Sequence, residues 1–170
     1  MEVFEAIKTR RSVRAYQADK TISNEDLMKI ITAAMYAPSA LNKQPWEFLI
    51  VNDSVLIEEI VKVHPYAGFI QQAKTGVIIC ENIDLANAGY GATDVAMAAQ
   101  NFLLAAHALG YGACFSGLYP DPSRMTSFTN LFKLPVYIRP IGLIVIGTPK
   151  EKNMQIPNRF DETKIHYNKW

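Results

Sequence analysis

The sequence contains few of the residues from which catalytic and metal sites are usually built. It has 2 cysteines in 170 residues, Cys80 and Cys114, and neither belongs to a CxxC pair or lies at metal-ligand spacing. We interpret both as small buried side chains, which favours a reducing compartment, the cytoplasm, and excludes a disulfide framework. The 3 histidines, at positions 64, 107 and 166, are far apart in the sequence. We expect each of them to be structural or exposed, and we predict no metal site.

Common catalytic motifs are also missing. The chain contains no GxSxG, HExxH or GxxxxGK[ST] pattern and no evident pairing of a nucleophile with a base. We therefore assign no catalytic side chain and expect any catalysis to depend on a bound cofactor. The first residues, Met1–Glu5, include acids where a signal peptide would have basic residues and an apolar run, so we expect no secretion.

There is little excess charge of either sign. Lys and Arg number 17 against 16 Asp and Glu, and the net charge is +1. Such a balance argues against a general nucleic-acid-binding protein, which needs a basic face. With 49% hydrophobic and 19% charged residues, the chain is expected to form one domain over residues 1–170 with a large core.

Apolar periodicity and capping residues predict an alternation of helices and strands. A short amphipathic helix begins near Val3 and ends at a cluster of arginines. The remaining helices are predicted after Ser23 to Ala37 and over 54–63, 93–109 and from Asp121 to 132. Strands are predicted over 46–51, 76–80, 113–116 and 138–146.

Two segments have more apolar surface than a small monomer readily covers. The helix over 93–109 is apolar on almost every side and should be buried all round. A two-fold subunit interface would cover its remaining face, although a central helix in a monomer is the alternative. The polar tail from Lys150 carries five large apolar residues, so we expect it to pack along the body or across a partner. These residues are Ile156, Phe160, Ile165, Tyr167 and Trp170.

A local cluster of three of the 17 basic residues lies in Arg10-Arg11-Ser12-Val13-Arg14. If this segment is extended, Arg10, Ser12 and Arg14 share one side and Arg11 points to the other. Three donors on one side suit a phosphate group, with about 1.5–3 kcal/mol for each charge-assisted hydrogen bond. A solvated basic turn is the alternative, and this segment alone does not decide between them.

The loop between Pro38 and Trp46 carries the hydroxyl of Ser39 and the amides of Asn42 and Gln44. Amides both donate and accept hydrogen bonds, which suits the edge of a flat heterocycle, and Leu41 with two prolines offers apolar surface. Taken alone, an ordinary loop between a helix and a strand explains these residues better.

Taken together, these segments resemble the FMN-dependent nitroreductase family. The resemblance rests on Arg-Arg-Ser-Val-Arg after the first helix, Pro-Ser-Ala-Leu-Asn-Lys-Gln-Pro-Trp after the second, and Gly-Tyr-Gly-Ala-Cys-Phe-Ser-Gly after the long helix. The closing Ile-Gly-Thr-Pro, Asn-Arg-Phe and Ile-His-Tyr-Asn-Lys-Trp also match. The four motifs occur in the order and spacing of the family and cover essentially the whole chain.

The resemblance implies a site for FMN that two chains share. Arg10, Ser12 and Arg14, helped by Arg11 and the late Arg159, would hold the phosphate and ribityl chain. The backbone of Ser116 and Gly117 would contact the redox edge of the ring. The second subunit would contribute the loop residues Pro38, Ser39, Leu41, Asn42 and Gln44.

The resemblance also implies an α+β fold. Its central sheet would be mixed and largely antiparallel, flanked by helices, and an extended C-terminal tail would embrace the partner of a homodimer. Ala40 stands where many relatives have a second serine, and Phe115 where tryptophan is frequent. The chain is also too short for the insertion that covers the substrate channel in some members, which favours an open pocket.

The function implied is the transfer of electrons from NADH or NADPH through FMN to a nitroaromatic, a quinone or a similar small acceptor. Other FMN reactions on this fold, such as reductive dehalogenation or flavin conversion, are alternatives. So is a flavin-binding module without catalytic activity. Binding of nucleic acid or an anionic peptide through Arg10–Arg14 would need more basic surface than the sequence has.

Overall fold

A central antiparallel sheet organises the chain. The computed structural model describes residues 1–151 and 155–170, so positions 152–154 of the predicted tail lie outside the described residues. The strands are β1 (Trp46–Val51), β2 (Gly76–Asn82), β3 (Gly112–Gly117) and β4 (Ile138–Gly147). The α-helices are α1 (Val3–Thr9), α2 (Asn24–Met35), α3 (Ser54–Val63), α4 (Ile70–Ala73), α5 (Gly91–Ala108) and α6 (Pro122–Phe132).

The strands lie in the order β1-β2-β4-β3, and each neighbouring pair is antiparallel. Ser12 forms an isolated parallel bridge with Ala113 on the free edge of β3. This bridge gives the otherwise antiparallel sheet its mixed character. The α+β fold that the resemblance implied is therefore confirmed.

Both faces of the sheet are buried, which explains the continuous apolar runs of its central strands. Side chains alternate along β2, so Val77 and Ile79 pack with α2 and α5. Ile78 and Cys80 face the opposite layer, which α3, α4 and α6 form with Val13 and Tyr16. Cys80 and Cys114 are buried free thiols, as predicted, and burial raises the pKa of Cys80 to about 12.

Most predicted elements are present, with shifted ends. The second helix stops at Met35, two residues before the predicted end. Strand β2 continues through Glu81, a carboxylate that is buried because Arg139 on β4 donates to it, with Nε 2.8 Å from Oε2. The four-residue α4 was not predicted, because one helical turn is too short to show periodicity.

The single chain does not bury the long helix all round, so the alternative of a central helix enclosed in a monomer is wrong, and the subunit interface over the remaining face stays a prediction. Val95, Ala98 and Phe102 are buried against the sheet, whereas Met97 remains 44% exposed beside the exposed Gln100. Residues 155–170 of the tail are all exposed, and Trp170 is fully so. Residues 156–160 nevertheless line a cleft together with Ile7, Lys8 and Arg11, so this part of the tail lies along the body at α1, and packing across a partner stays a prediction.

Candidate functional site

The arginine segment lies along the free edge of β3. The Val13 N–H donates to the Ala113 carbonyl at 3.1 Å, and the Tyr16 hydroxyl donates to the Val13 carbonyl at 2.6 Å. Val13 is buried against Gly112, where an added Cβ would lie 2.7 Å from Val13 Cγ1. The bridge between Ser12 and Ala113 makes the segment extended at this point, as the phosphate hypothesis requires.

The arginines of this region have no acidic partners. Within the described ranges, neither Arg10, Arg11, Arg14 nor Arg159 forms an ion pair with a carboxylate. Burial, followed by the nearby charges of Arg159 and Arg11, lowers the pKa of Arg10. The fold thus brings Arg159, from the tail, close enough to Arg10 for their like charges to interact. A concentration of uncompensated positive charge of this kind favours a bound anion.

Arg11 uses its guanidinium differently from its neighbours. Its Nη1 donates to the carbonyls of Lys8 (2.9 Å) and Arg10 (2.6 Å), and its Nε donates to the Gln155 carbonyl (3.1 Å). These bonds join the tail to the end of α1. That Arg11 also binds the phosphate stays a prediction. Its hydrogen bond to the Gln155 carbonyl shows that it contacts the tail.

A cleft of about 620 Å³ lies at the other end of the segment. Arg14, Ser116 and Gly117, which the resemblance placed in one site, line it together with Phe115. Gly142 lies beneath Phe115, since a Cβ at this position would be 2.3 Å from the ring. The structure therefore brings together the predicted ring-binding backbone of β3 and Arg14.

Sequence analysis missed three further lining residues, His64, Tyr66 and Arg124. His64 is buried, and its ring lies edge-on to those of Tyr66 and Phe128, with centroids 6.3 and 6.1 Å apart. Neither ring nitrogen has a partner among the described residues. Burial, with a smaller effect of Arg124, lowers the pKa of His64 and favours the neutral imidazole. No local pattern marks these residues, because they converge only in the tertiary structure.

The loop after α2 has an unusual backbone. Leu41, Asn42 and Gln44 have φ values of 52°, 54° and 50°, a left-handed conformation that costs about 1–2 kcal/mol for most residues other than glycine. Ser39 Oγ accepts from the Gln44 N–H at 2.9 Å, and the Gln44 side chain donates to Asn42 Oδ1 at 2.9 Å. Strained backbone that side-chain hydrogen bonds maintain is typical of binding loops.

The same loop faces away from the cleft of its own chain. None of residues 38–44 lines that cleft, and Leu41 is 78% exposed. The buried Asp94, in the first turn of α5, accepts from the Ala40 N–H at 3.1 Å and fixes the loop to the helix with the exposed apolar face. The assignment of Pro38, Ser39, Leu41, Asn42 and Gln44 to a second subunit's site stays a prediction.

Two kinds of feature are absent from the part of the chain that the structure describes. Across the ranges 1–151 and 155–170, no helix has the length and apolarity needed to cross a membrane. Over the same ranges, no group of three or more His, Cys, Asp or Glu side chains could hold a metal ion.

Comparison with known proteins places the chain in a family. The sequence model of the nitroreductase family matches residues 7–67 and 64–148. A protein of Methanothermobacter thermautotrophicus, named as an NADH dehydrogenase/NAD(P)H nitroreductase, is 41% identical over all of this chain and 88% of its own length. A crystal structure with the same kind of name, from Parabacteroides distasonis, has a TM-score of 0.94 and 31% identity, covering 99% and 98% of the two chains.

A third comparison concerns a nitroreductase from Desulfovibrio desulfuricans whose crystal structure is a complex with FMN. It has a TM-score of 0.83 and 26% identity, covering 98% of this chain and 97% of its own. The two segments that the family model matches include the arginine cluster, the loop after α2 and strand β3. The chain belongs to the nitroreductase family.

Proposed function

We propose that the protein is a homodimeric, FMN-dependent oxidoreductase that takes electrons from NADH or NADPH. It passes them to a nitroaromatic, a quinone or a similar small acceptor. The enzyme class follows from family membership and from the names of the relatives, and the cofactor is the one bound by the similar Desulfovibrio desulfuricans protein. The two free cysteines support a reducing compartment, and we propose the cytoplasm.

The single observation that carries the cofactor proposal is the uncompensated arginine cluster. Burial and then the nearby charge of Arg159 lower the pKa of Arg10, and neither arginine pairs with an acid in the described ranges, so a dianionic phosphate between them would relieve their repulsion. Ser12, on the same extended segment, would add a hydroxyl donor. These residues fit the phosphate end of FMN.

The cleft at Arg14 fits the ring end. If the segment is extended, Arg10 and Arg14 lie about 13 Å apart. A phosphate site at Arg10 and a ring site at Arg14 can therefore bind opposite ends of one elongated cofactor. Ser116 and Gly117 lie on an edge strand, so their backbone groups are available to a ligand. We propose that these groups orient the polar edge of the ring while Phe115 supplies apolar surface.

When bound, FMN supplies the redox chemistry, because it accepts a hydride and releases electrons in a way that no side chain can. The residues of this chain bind the phosphate, orient the ring and exclude water from one of its sides. We assign no side chain as an acid or base for the reaction.

The exposed apolar surfaces support the homodimer. Met97 on α5, Leu41 on the loop and Phe160, Tyr167 and Trp170 on the tail are all more than 40% exposed in the single chain. A two-fold partner seated on α5 would cover this surface and bring its own loop, which Asp94 attaches to α5, towards the arginine cleft. We propose that the partner supplies Pro38, Ser39, Leu41, Asn42 and Gln44 to the site and that each tail embraces the other subunit.

Purified protein tests the proposal directly. It should be yellow or become so with FMN, and anaerobic mixing with NADH or NADPH should bleach the flavin. Addition of a nitroaromatic or a quinone should then restore the colour. Protein that stays colourless and does not take up FMN would exclude the proposed cofactor. A bound flavin that neither nucleotide bleaches would instead indicate a flavin-binding module without this activity.

A further inference from the structure

A second guanidinium group, that of Arg124, lines the cleft that holds Arg14, Ser116 and Gly117. Arg124 comes from the first turns of α6, whereas Arg14 belongs to the segment beside β3. Neither the sequence patterns nor the resemblance assigns this residue a part in the site.

Three contacts fix the position of the Arg124 side chain. Its Nη1 donates to the Gly117 carbonyl at 3.4 Å, and its Nε lies 3.2 Å from Asp121 Oδ2. Its Cζ lies 5.7 Å from the centre of the Tyr66 ring, within the range of a cation–π interaction. The charge is therefore held in the cleft next to Gly117, and little side-chain freedom is left to lose when a ligand binds.

The charges around the cleft are unbalanced. Its described lining includes Arg14 and Arg124 but no carboxylate. Asp121, the partner of Arg124, also caps α6, since its Oδ1 accepts from the N–H groups of Ser123 and Arg124. His64, buried in the wall beside them, brings no negative charge. The exposed ion pair between Arg124 and Asp121 at the start of α6 contributes little to stability. A need for stability therefore does not explain why a second guanidinium group lies in the same cleft as that of Arg14.

We propose that Arg124 binds the polar edge of the flavin ring and stabilises the reduced flavin more than the oxidised one. This inference rests on the proposed function and deepens it. Reduction adds two electrons to the ring and increases the electron density on its carbonyl oxygens and nitrogens. A fixed positive charge beside that edge therefore favours the reduced state, and more so in a cleft that water has left.

The test is the reduction potential of the bound FMN in Arg124→Gln, compared with the unchanged protein. The variant should bind reduced FMN about tenfold more weakly relative to oxidised FMN, which for a two-electron couple lowers the potential by about 30 mV. Lys62→Gln is the matched control. It removes one positive charge from another exposed (i, i+3) ion pair, that of Lys62 with Glu59 on α3, and should leave the potential unchanged.

Two further variants separate charge from shape. Asp121→Asn keeps a helix-capping oxygen but removes the negative charge beside Arg124, so it should raise the potential. Arg124→Lys keeps the positive charge, so the reduction potential of its bound FMN should lie closer to that of the unchanged protein than to that of Arg124→Gln.

An unchanged potential in both Arg124→Gln and Asp121→Asn would overturn the inference, even if the KM for an acceptor changes. Equal weakening of oxidised and reduced FMN would also overturn it, because Arg124 would then support the cleft without favouring either state. Failure of the unchanged protein to bind FMN is a different result, since it contradicts the proposed function before any variant is compared.

Discussion

Adjacent arginines in this chain have different surroundings, although the sequence presents them as one basic cluster. Arg10 lies near Arg159 without an acidic partner, whereas Arg11 donates three hydrogen bonds to backbone carbonyls. The alternation of an extended segment explains the difference, because successive side chains point to opposite sides. The donors of Arg10 are available for a phosphate group, whereas Nη1 and Nε of Arg11 are already bonded to backbone carbonyls.

This difference gives the first prediction. Arg10→Ala should raise the Kd for FMN about 10- to 100-fold, the loss expected for one or two charge-assisted hydrogen bonds. Fluorescence titration with FMN measures it, and Lys62→Ala, which removes a charge that is already paired with Glu59, is the control. Arg11→Ala should instead speed cleavage of the tail in limited proteolysis, because the bond to the Gln155 carbonyl is lost. An unchanged Kd in Arg10→Ala would show that the phosphate lies elsewhere.

His64 carries the second prediction, which concerns pH. Its pKa is lower in the folded protein than the value near 6.5 expected for the unfolded chain, because burial and Arg124 oppose its protonation. Between these two values the unfolded chain binds more protons, so the free energy of unfolding should fall as the pH drops below about 6.5. His107 contributes in the same direction, since burial and then Arg10 and Arg11 lower its pKa.

Urea unfolding at several pH values measures this dependence. His64→Phe should make the free energy of unfolding fall less steeply with acidity, because one of the two imidazoles with a lowered pKa is gone. Val55→Ala, which changes an exposed side chain without a titratable group, is the control and should leave the dependence as it was. An identical pH dependence in His64→Phe and the unchanged protein would contradict the argument.

At the scale of elements, Gly112 on β3 sets how closely the arginine segment approaches the sheet. A Cβ at residue 112 would lie within 3.0 Å of three Val13 side-chain atoms, so Gly112→Ala should push the segment outward. We expect a loss of about 1–3 kcal/mol in stability, as in other overpacked cores, together with weaker FMN binding. Thermal unfolding and FMN titration measure the two effects.

Gly68→Ala is the control for this variant. Gly68 has right-handed helical φ and ψ angles, and the nearest atom to an added Cβ is 3.6 Å away, so alanine should be tolerated or slightly stabilising. If Gly112→Ala were equally well tolerated and bound FMN normally, the segment would not depend on its close packing against β3.

Periodicity and capping predicted the main elements because these signals are local. Ser23 Oγ accepts from the Asp26 N–H, and Asp121 caps α6, as their sequence contexts indicate. Residues whose roles depend on distant partners could not be found in this way. Glu81 is buried only because Arg139 reaches it from another strand, and His64 meets Arg124 only after α3 and α6 pack together.

Some of the predicted site residues lie together in the structure. Arg14, Ser116 and Gly117 do line one cleft, and Arg10 does lie near Arg159. The apolar composition of the helix over Gly91–Ala108 left two possibilities open, a subunit interface or burial inside a monomer, and the single chain leaves one face of this helix exposed. The composition of a helix shows that its faces are apolar. It does not show whether the same chain or a second copy covers each of those faces.

At the scale of the whole molecule, the uncovered face of α5 predicts the oligomeric state. Gel filtration should give about twice the 19.0 kDa mass of the chain. Met97→Lys places a charge on the exposed face and should shift the protein towards the monomer, with loss of bound FMN. Val55→Lys makes the same kind of change on α3, where Val55 is 64% exposed, and should leave the dimer intact. A monomeric unchanged protein that still binds FMN would contradict the shared site.

The central claim, that the arginines of one subunit and the loop of the other form each FMN site, is tested most directly by counting FMN in a mixed dimer. One subunit carries Arg10→Ala with Arg159→Ala, and the other carries Asn42→Ala with Gln44→Ala. The homodimer of each double variant should retain little FMN, because both of its sites are damaged. Because the mixed dimer rebuilds one intact site and doubles the damage in the other, it should bind one FMN, half the content of the unchanged dimer. A mixed dimer that binds no more FMN than its parents would show that both groups act within a single chain.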